Sequence, residues 1–273
     1  MTTTLRPTAP ERRTGDGARS RTYDICVNGR PVGAVLLTTD PHVNGLAGRI
    51  DRLEVNPPDR YRGRGTVAAL AAEEVLRGWG CRWVETAIPA EARTALGLAG
   101  ALGYTEHARV LTKRLTLPPA LPAGSTVRAL EETAFPAWLA AEEAAYAETW
   151  TARGLTPGEA AALSTRVHAT AFPQGHATPG PLVRVLAHEG TDVGTLWLEQ
   201  RGESGYVVVV RVAPEHRGHG HGRTLMRTAE RETLAMGLSR LRLSVAAGNT
   251  PARRLYASLG YRPFVLNLSK PLL

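Results

Sequence analysis

Arg217-Gly218-His219-Gly220-His221-Gly222-Arg223 follows an apolar run, Tyr206 to Val212, and leads into a helical pattern. A buried strand that runs through Arg-x-x-Gly-x-Gly into a helix is a phosphate-binding arrangement. The glycines let the backbone come close, and successive N–H groups at the helix start point at an anion. Gly-rich strand–helix turns also exist for packing alone, so the loop needs company before it means a ligand. A dinucleotide site would need G-x-G-x-x-G and an acid about 20 residues on, and a Walker loop would need Gly-Lys-Ser/Thr. Neither is present. His216, His219 and His221 raise the question of a metal, since His-x-His can chelate. A loop that offers its backbone to phosphate turns its side chains away, however, and no carboxylate or thiolate cluster joins them. No metal is expected. Two polar residues follow near the chain's end, Asn249 and Tyr256. By position alone Asn249 reads as a turn residue, and Tyr256, four residues after Ala252 and three before Leu259, as a core tyrosine.

The elements that position these residues read as an alternation of strands and helices. Leu182 to Ala187, Val193 to Glu199, Leu241 to Val245 and Arg262 to Leu268 are predicted strands. Tyr206 to Val212 is apolar enough for a central strand buried on both faces. The helix after the loop carries Leu225, Ala229 and Met236 and stops at Gly237, while Thr250 caps a last helix with Pro251 at its first position and Gly260 past its end. Upstream, Thr126 to Leu130 reads as a strand, and Glu131 to Trp150 and Pro157 to Ala171 as two Ala-rich helices.

The loop occurs twice. Val55, Arg60, Gly63 and Gly65 correspond to Val212, Arg217, Gly220 and Gly222, each pair 157 positions apart. The register holds downstream, from Gly80 and Gly237 through Leu102-Gly103-Tyr104 and Leu259-Gly260-Tyr261 to Lys113 and Lys270. A period held over some sixty residues means a duplicated domain. The expected layout is a loose Gly-, Pro-, Thr- and Arg-rich tail over 1–22, a first domain over 23–117, a Pro-rich linker over 118–124 and a complete domain over 125–273. The first copy is expected to be truncated at its front. It opens on a hairpin, because Asn28-Gly29 between apolar runs is a strong turn signal. The fold class is α/β, a mixed sheet flanked by helices, in two tandem copies.

Composition narrows the function classes. The chain has 273 residues, 43% of them apolar and 21% charged, with a formal net charge of +8. That is a globular composition, of a length suited to about two domains. No apolar run approaches the roughly 18 residues of a spanning helix, and no secretory signal is visible at the start. The expected compartment is the cytoplasm, with no membrane partner. The positive charge suggests nucleic acid, but only Lys113 and Lys270 are lysines, the arginines are dispersed, and no nucleic-acid-binding motif is found. No nucleic-acid partner is expected. Cys26 and Cys81 are too few for a disulfide framework and read as small core residues.

Val212-x-Pro-Glu-His-Arg217-Gly-His-Gly220-His-Gly222-Arg-x-Leu-Met, with Asn249-x-x-Ala252-x-x-Leu255-Tyr256-x-x-Leu-Gly260-Tyr261, resembles the GNAT superfamily of N-acetyltransferases. The match is nearly complete in the second copy and partial in the first. The resemblance implies acetyl-CoA as co-substrate. Arg217, Gly218, His219, Gly220, His221, Gly222 and Arg223 would hold its pyrophosphate. Val210, Arg211 and Val212 would line the pantetheine and polarise the thioester carbonyl. Asn249 and Ala252 would contact the CoA arm. Tyr256 would protonate the departing thiolate, as a group with a free pKa near 10 is suited to do.

Two departures from the family pattern shape the expectation. Ala92 and Ala99 stand where the second copy has Asn249 and Tyr256, so the first copy is expected to be non-catalytic. Where many members carry a strand carboxylate as general base, the first copy has Glu54 but the second has Arg211. Glu142, Glu143, Glu199 and Glu203 are candidates for the base by location only, and a solvated surface carboxylate is the plainer reading of each. Both cysteines lie in the first copy, which disfavours an acetyl-cysteine intermediate. The expected activity is direct transfer of an acetyl group to the primary amine of a small molecule. A protein amine as acceptor, and a non-catalytic acyl-CoA-binding role, are the alternatives.

Overall fold

The computed structural model describes residues 3–15, 17–39 and 46–272. Two compact units are present: Met1–Ala108 with Val265–Leu273, and Arg109–Phe264. The division does not follow the expected boundary near the linker, and the reason lies in two strands.

The first unit contains β1 (Thr3–Pro7), β2 (Arg12–Arg13), β3 (Arg19–Val27), β4 (Arg30–Thr39), β5 (Ala47–Val55), α1 (Arg64–Gly78), β6 (Trp83–Pro89) and α2 (Arg93–Ala101). The sheet order is β1-β3-β4-β5-β6, with β2 on β3. β5 and β6 run parallel, and the other pairs are antiparallel. Asn28 (φ 48°) and Gly29 (φ 84°) form the two-residue turn between β3 and β4, as a hairpin that needs positive φ at both positions requires.

The second unit contains β8 (Ser125–Ala129), α3 (Phe135–Ala152), α4 (Pro157–Ala171), β9 (Leu182–His188), β10 (Thr191–Arg201), β11 (Ser204–Val212), α5 (His221–Ala235), β12 (Arg240–Ala246) and α6 (Thr250–Ser258). Its order is β8-β9-β10-β11-β12, with β11 and β12 parallel. α4 opens with a reciprocal cap in which the Glu159 amide donates to Thr156 Oγ1 while the Thr156 amide donates to Glu159.

The remaining strands are exchanged. β7 (Thr105–Arg114) leaves the first unit midway and pairs with β12, whereas β13 (Arg262–Pro271) leaves the second and pairs with β6. The register of β13 on β6 runs from Val265↔Pro89 to Pro271↔Trp83. Each transplanted strand brings a lysine to a buried helical glutamate: Lys270 Nζ lies 2.7 Å from Glu73, and Lys113 Nζ 2.6 Å from Glu230. Leu111 and Leu115 join the core formed by Leu196, Leu225, Met226 and Leu241, and Leu268 joins that of Ile25, Val35, Leu76 and Val84.

Three expectations are corrected. The start of the chain is not a loose tail: β1 pairs with β3 from Thr3↔Val27 to Pro7↔Tyr23. Arg19 also grips Glu11 through Nε and Nη2, each at 2.9 Å. Residues 1, 2 and 16 of that segment lie outside the described residues. The first copy therefore has its opening strand, and among the described residues no counterpart of α3 and α4 stands between β1 and β3. β11, finally, is central but not buried throughout. Gly205 and Val207 are buried, and from Val208 to Val212 the strand is half-exposed. Cys26 and Cys81 are core residues as expected, and burial pushes the Cys81 thiol up to about 11. Residues 118–122 form neither helix nor strand; Arg231 and Arg227 of α5 donate to the carbonyls of Pro119 and Ala120.

Candidate active site

The site begins where parallel strands part. β11 and β12 pair only from Gly205↔Leu241 to Val207↔Leu243. Val208 is bulged out of the ladder to β10, since Leu198 faces Val207 and Trp197 faces Val209. A bulge bends its strand and raises the local twist, so Val210 and Val212 turn from β12 with that backbone edge unladdered. Gly194 permits the curl, because a Cβ there would stand 2.3 Å from the Arg211 carbonyl oxygen.

A short 3-10 turn, Pro214–His216, follows. Arg217 Nε donates to the Val212 carbonyl at 3.3 Å and ties the loop back to the strand end. Gly218 (φ 84°) and Gly220 (φ 85°) hold the left-handed conformation that side chains disfavour, and Gly220 is the N-cap of α5. The Arg223 amide donates to the Gly220 carbonyl at 2.9 Å, while the earlier amides of α5 have no carbonyl one turn behind them and face outward with the positive end of the helix, an arrangement suited to an anion. Gly222 has a different task. A Cβ there would meet Leu255 of α6 at 3.3 Å, so this glycine lets α6 close on the start of α5.

His221 is buried at the first position of α5 and does not point away, contrary to expectation. Its ring centroid is 5.2 Å from that of His188 and 6.2 and 6.3 Å from those of His219 and His216. Burial, then the neighbouring imidazoles, lowers its pKa. Among the described residues no group of histidine, cysteine or carboxylate side chains has metal-holding geometry.

Asn249, not Thr250, caps α6: its Oδ1 accepts from the Ala252 amide at 3.1 Å. The cap occupies the carbonyl end of the side chain and leaves the Nδ2 donor. Tyr256 is half-buried at the margin of the second core, its ring centroid 6.0 Å from that of Tyr261. Burial alone raises its pKa, so the phenol is held in its protonated form. The two tyrosines are bound differently, since Tyr261 donates its hydroxyl to Glu230 at 3.1 Å.

The position of the missing strand carboxylate is resolved by an ion pair that sequence reasoning did not anticipate. Arg211 Nε and Nη2 grip Glu142 of α3 at 2.7 and 2.5 Å, one bond to each carboxylate oxygen. Glu142 is buried, and each of its oxygens accepts a bond from Arg211. Glu199 accepts two bonds from Arg201, at 3.0 and 3.1 Å. The legible signal was a lone arginine in a central strand, which demands a counter-charge from whatever packs over it.

The first unit repeats the geometry with the polar groups removed. β5 and β6 pair only from Ala47↔Trp83 to Arg49↔Glu85, and Asp51 is bulged where Val208 is. Arg60 Nε donates to the Val55 carbonyl at 2.8 Å, and Gly63 (φ 72°) caps α1. Ala92 caps α2 with φ −78° and ψ 64°, close to the −80° and 72° of Asn249, but with no side-chain bond.

Two units of this kind, each with splayed parallel strands opening on a glycine loop at a helix start, define an acyl-CoA-type transferase. The sequence pattern of the acetyltransferase (GNAT) family matches residues 3–104 and 135–261, and the chain belongs to that family. It is an acetyltransferase with two GNAT regions, of a family that uses acetyl-CoA as co-substrate. A mycothiol acetyltransferase of Frankia casuarinae is 30% identical over 257 residues, spanning 84% of this chain and 70% of its own. A GCN5-related N-acetyltransferase from Sphaerobacter thermophilus shares the fold at 20% identity and a TM-score of 0.63, covering 92% of this chain and 80% of its own. A tandem GNAT protein from the clavulanic acid biosynthesis pathway does so at 18% identity and 0.57, covering 94% and 84%. No helix among the described residues is long and apolar enough to cross a membrane.

Proposed function

We propose that the second unit transfers the acetyl group of acetyl-CoA to the primary amine of a small molecule, directly and in a ternary complex. The carrying observation is the convergence of three features. The unladdered edge of β11 opens on the amides at the start of α5, and α6 closes over that start through the Gly222–Leu255 contact, with Tyr256 next in sequence. Arg217, Gly218, His219, Gly220, His221 and Arg223 supply the surroundings of the pyrophosphate. Val210, Arg211 and Val212 carry the strand edge for the pantetheine. Asn249 Nδ2 is the donor to the CoA arm, with Ala252 beside it.

The amine nitrogen attacks the thioester carbonyl carbon, and backbone N–H groups of β11 stabilise the oxyanion. As the tetrahedral intermediate collapses, the C–S bond breaks and the sulfur takes the proton of Tyr256, whose phenolate regains a proton from solvent before the next turnover. The ammonium formed on the acceptor loses its proton to solvent, because Arg211 and Glu142 neutralise each other where a base would stand. Holding both substrates together supplies the proximity.

The relatives named mycothiol acetyltransferase make mycothiol chemistry the first place to seek the acceptor. The test is single-turnover acetylation of an amine panel by the unsubstituted chain and Tyr256→Phe. Transfer that is slowed in the variant with little change in acetyl-CoA affinity supports the acid role; equal loss of both rejects it.

A further inference from the structure

The first unit retains the loop and splayed strands but has Ala99 where the second has Tyr256, and the space so released is not refilled. Between the parted ends of β5 and β6 lies a cavity of about 350 Å³. Its apolar walls include Ile50 and Leu53 of β5, Ile88 of β6, Leu98 and Ala99 of α2, and Ala69 of α1. A second cavity of about 680 Å³ surrounds Arg60, Gly63 and Gly65 at the phosphate loop. The two share Leu53, Glu54, Ala95 and Leu98 in their walls, so one leads to the other. The charges at the mouth satisfy one another. Asp51 accepts from Thr38 and Arg49, at 2.6 and 3.1 Å, and Glu54 is paired with Arg52. Thr86 donates to the Ile50 carbonyl at 3.1 Å, and the Tyr104 phenol in the wall is the counterpart of Tyr261, not of Tyr256. The rest of the lining is mostly apolar, and Ala99 stands where Tyr256 would protonate a thiolate.

We propose that the first unit is a binding site for CoA thioesters of medium-length apolar acyl chains, the chain occupying the slot vacated at Ala99. The inference rests on the reading of the glycine loops as CoA loops and adds what the first one selects. An acetyl group would leave most of the slot empty, and unfilled apolar space forfeits contacts. A longer chain fills it at each added methylene. The site binds without turning over.

The test is calorimetry with acetyl-, hexanoyl- and octanoyl-CoA on the unsubstituted chain and on Arg217→Ala/Gly220→Val, in which only the first loop is intact. The double variant should bind all three, with affinity rising about fourfold per added methylene, the equivalent of ~0.8 kcal/mol per buried CH₂. Ala95→Phe, at an exposed position on the cavity wall, and Ala99→Leu should each flatten that rise while acetyl-CoA still binds. The unsubstituted chain should show two sites for octanoyl-CoA, which keeps the proposal open to refutation if the double variant misfolds. Equal affinity for the three thioesters, or a rise that survives both plugging substitutions, overturns it. A single site that disappears in the double variant overturns this proposal alone, whereas no binding of any thioester to the unsubstituted chain overturns the CoA reading of both loops.

Discussion

Lys270, three residues from the end of the chain, neutralises Glu73 of α1 across 2.7 Å. The carboxylate is buried and the ammonium only a quarter exposed, so the last strand supplies the charge that the first helix needs. Removing one partner strands the other in a medium that solvates it poorly. Lys270→Met should destabilise the protein by about 2–3 kcal/mol, below the full cost of a buried pair because the lysine retains some solvent. Glu73→Gln added to it should recover part of the loss. Urea unfolding of the three variants measures this, and equal stability of the single and double variants would count against the pairing.

Tyr256→Phe removes only a hydroxyl, and no described residue hydrogen-bonds to that oxygen. Folding should be nearly untouched. Turnover should fall about 10²-fold or more, the range for loss of a positioned general acid. Calorimetry with CoA alongside steady-state kinetics separates the effects.

The pH profile follows from two groups. Burial raises the Tyr256 pKa above its usual 10, so the acid stays protonated and the alkaline fall in rate should begin above pH 10. With Glu142 locked to Arg211, the ascending limb should track the acceptor amine itself and move when an amine of different basicity is used. An ascending limb fixed near pH 5 for every acceptor would instead reveal a carboxylate base.

Asn249 and Ala92 occupy helix caps of nearly the same backbone shape. Asn249→Ala should cost about 1 kcal/mol in stability, the value of a lost N-cap, and weaken CoA binding as well. Ala92→Asn should stabilise the first unit by a similar amount, about 1 kcal/mol, because the backbone already accepts the cap. Thermal unfolding of the two variants should shift in opposite directions.

Much of this was legible in the sequence. The Asn28-Gly29 hairpin, the α3 and α4 helices and the capping glycine at each loop are local, and local chemistry decides them. The constant register of Arg60 with Arg217 and Gly63 with Gly220 foretold the matching loop geometry. The strand exchange was illegible for the same reason: Lys113 and Lys270 are counterparts, as are Glu73 and Glu230, so either strand suits either sheet and the pattern carries no address. The Arg211–Glu142 pair joins residues far apart in the chain, and nothing near either one names its partner. β1 was missed because Thr3–Pro7 is half-exposed at an edge and lacks the apolar alternation of an inner strand.

The exchanged strands also decide what a protease could achieve. Cleavage in the Pro-rich segment at 118–122 would leave one fragment ending in β7, held against β12, and another ending in β13, held against β6. Neither product could depart without surrendering a strand from its own sheet. The nicked protein would behave as a clasped heterodimer, parted only by unfolding, although the cut bond had been its sole covalent link.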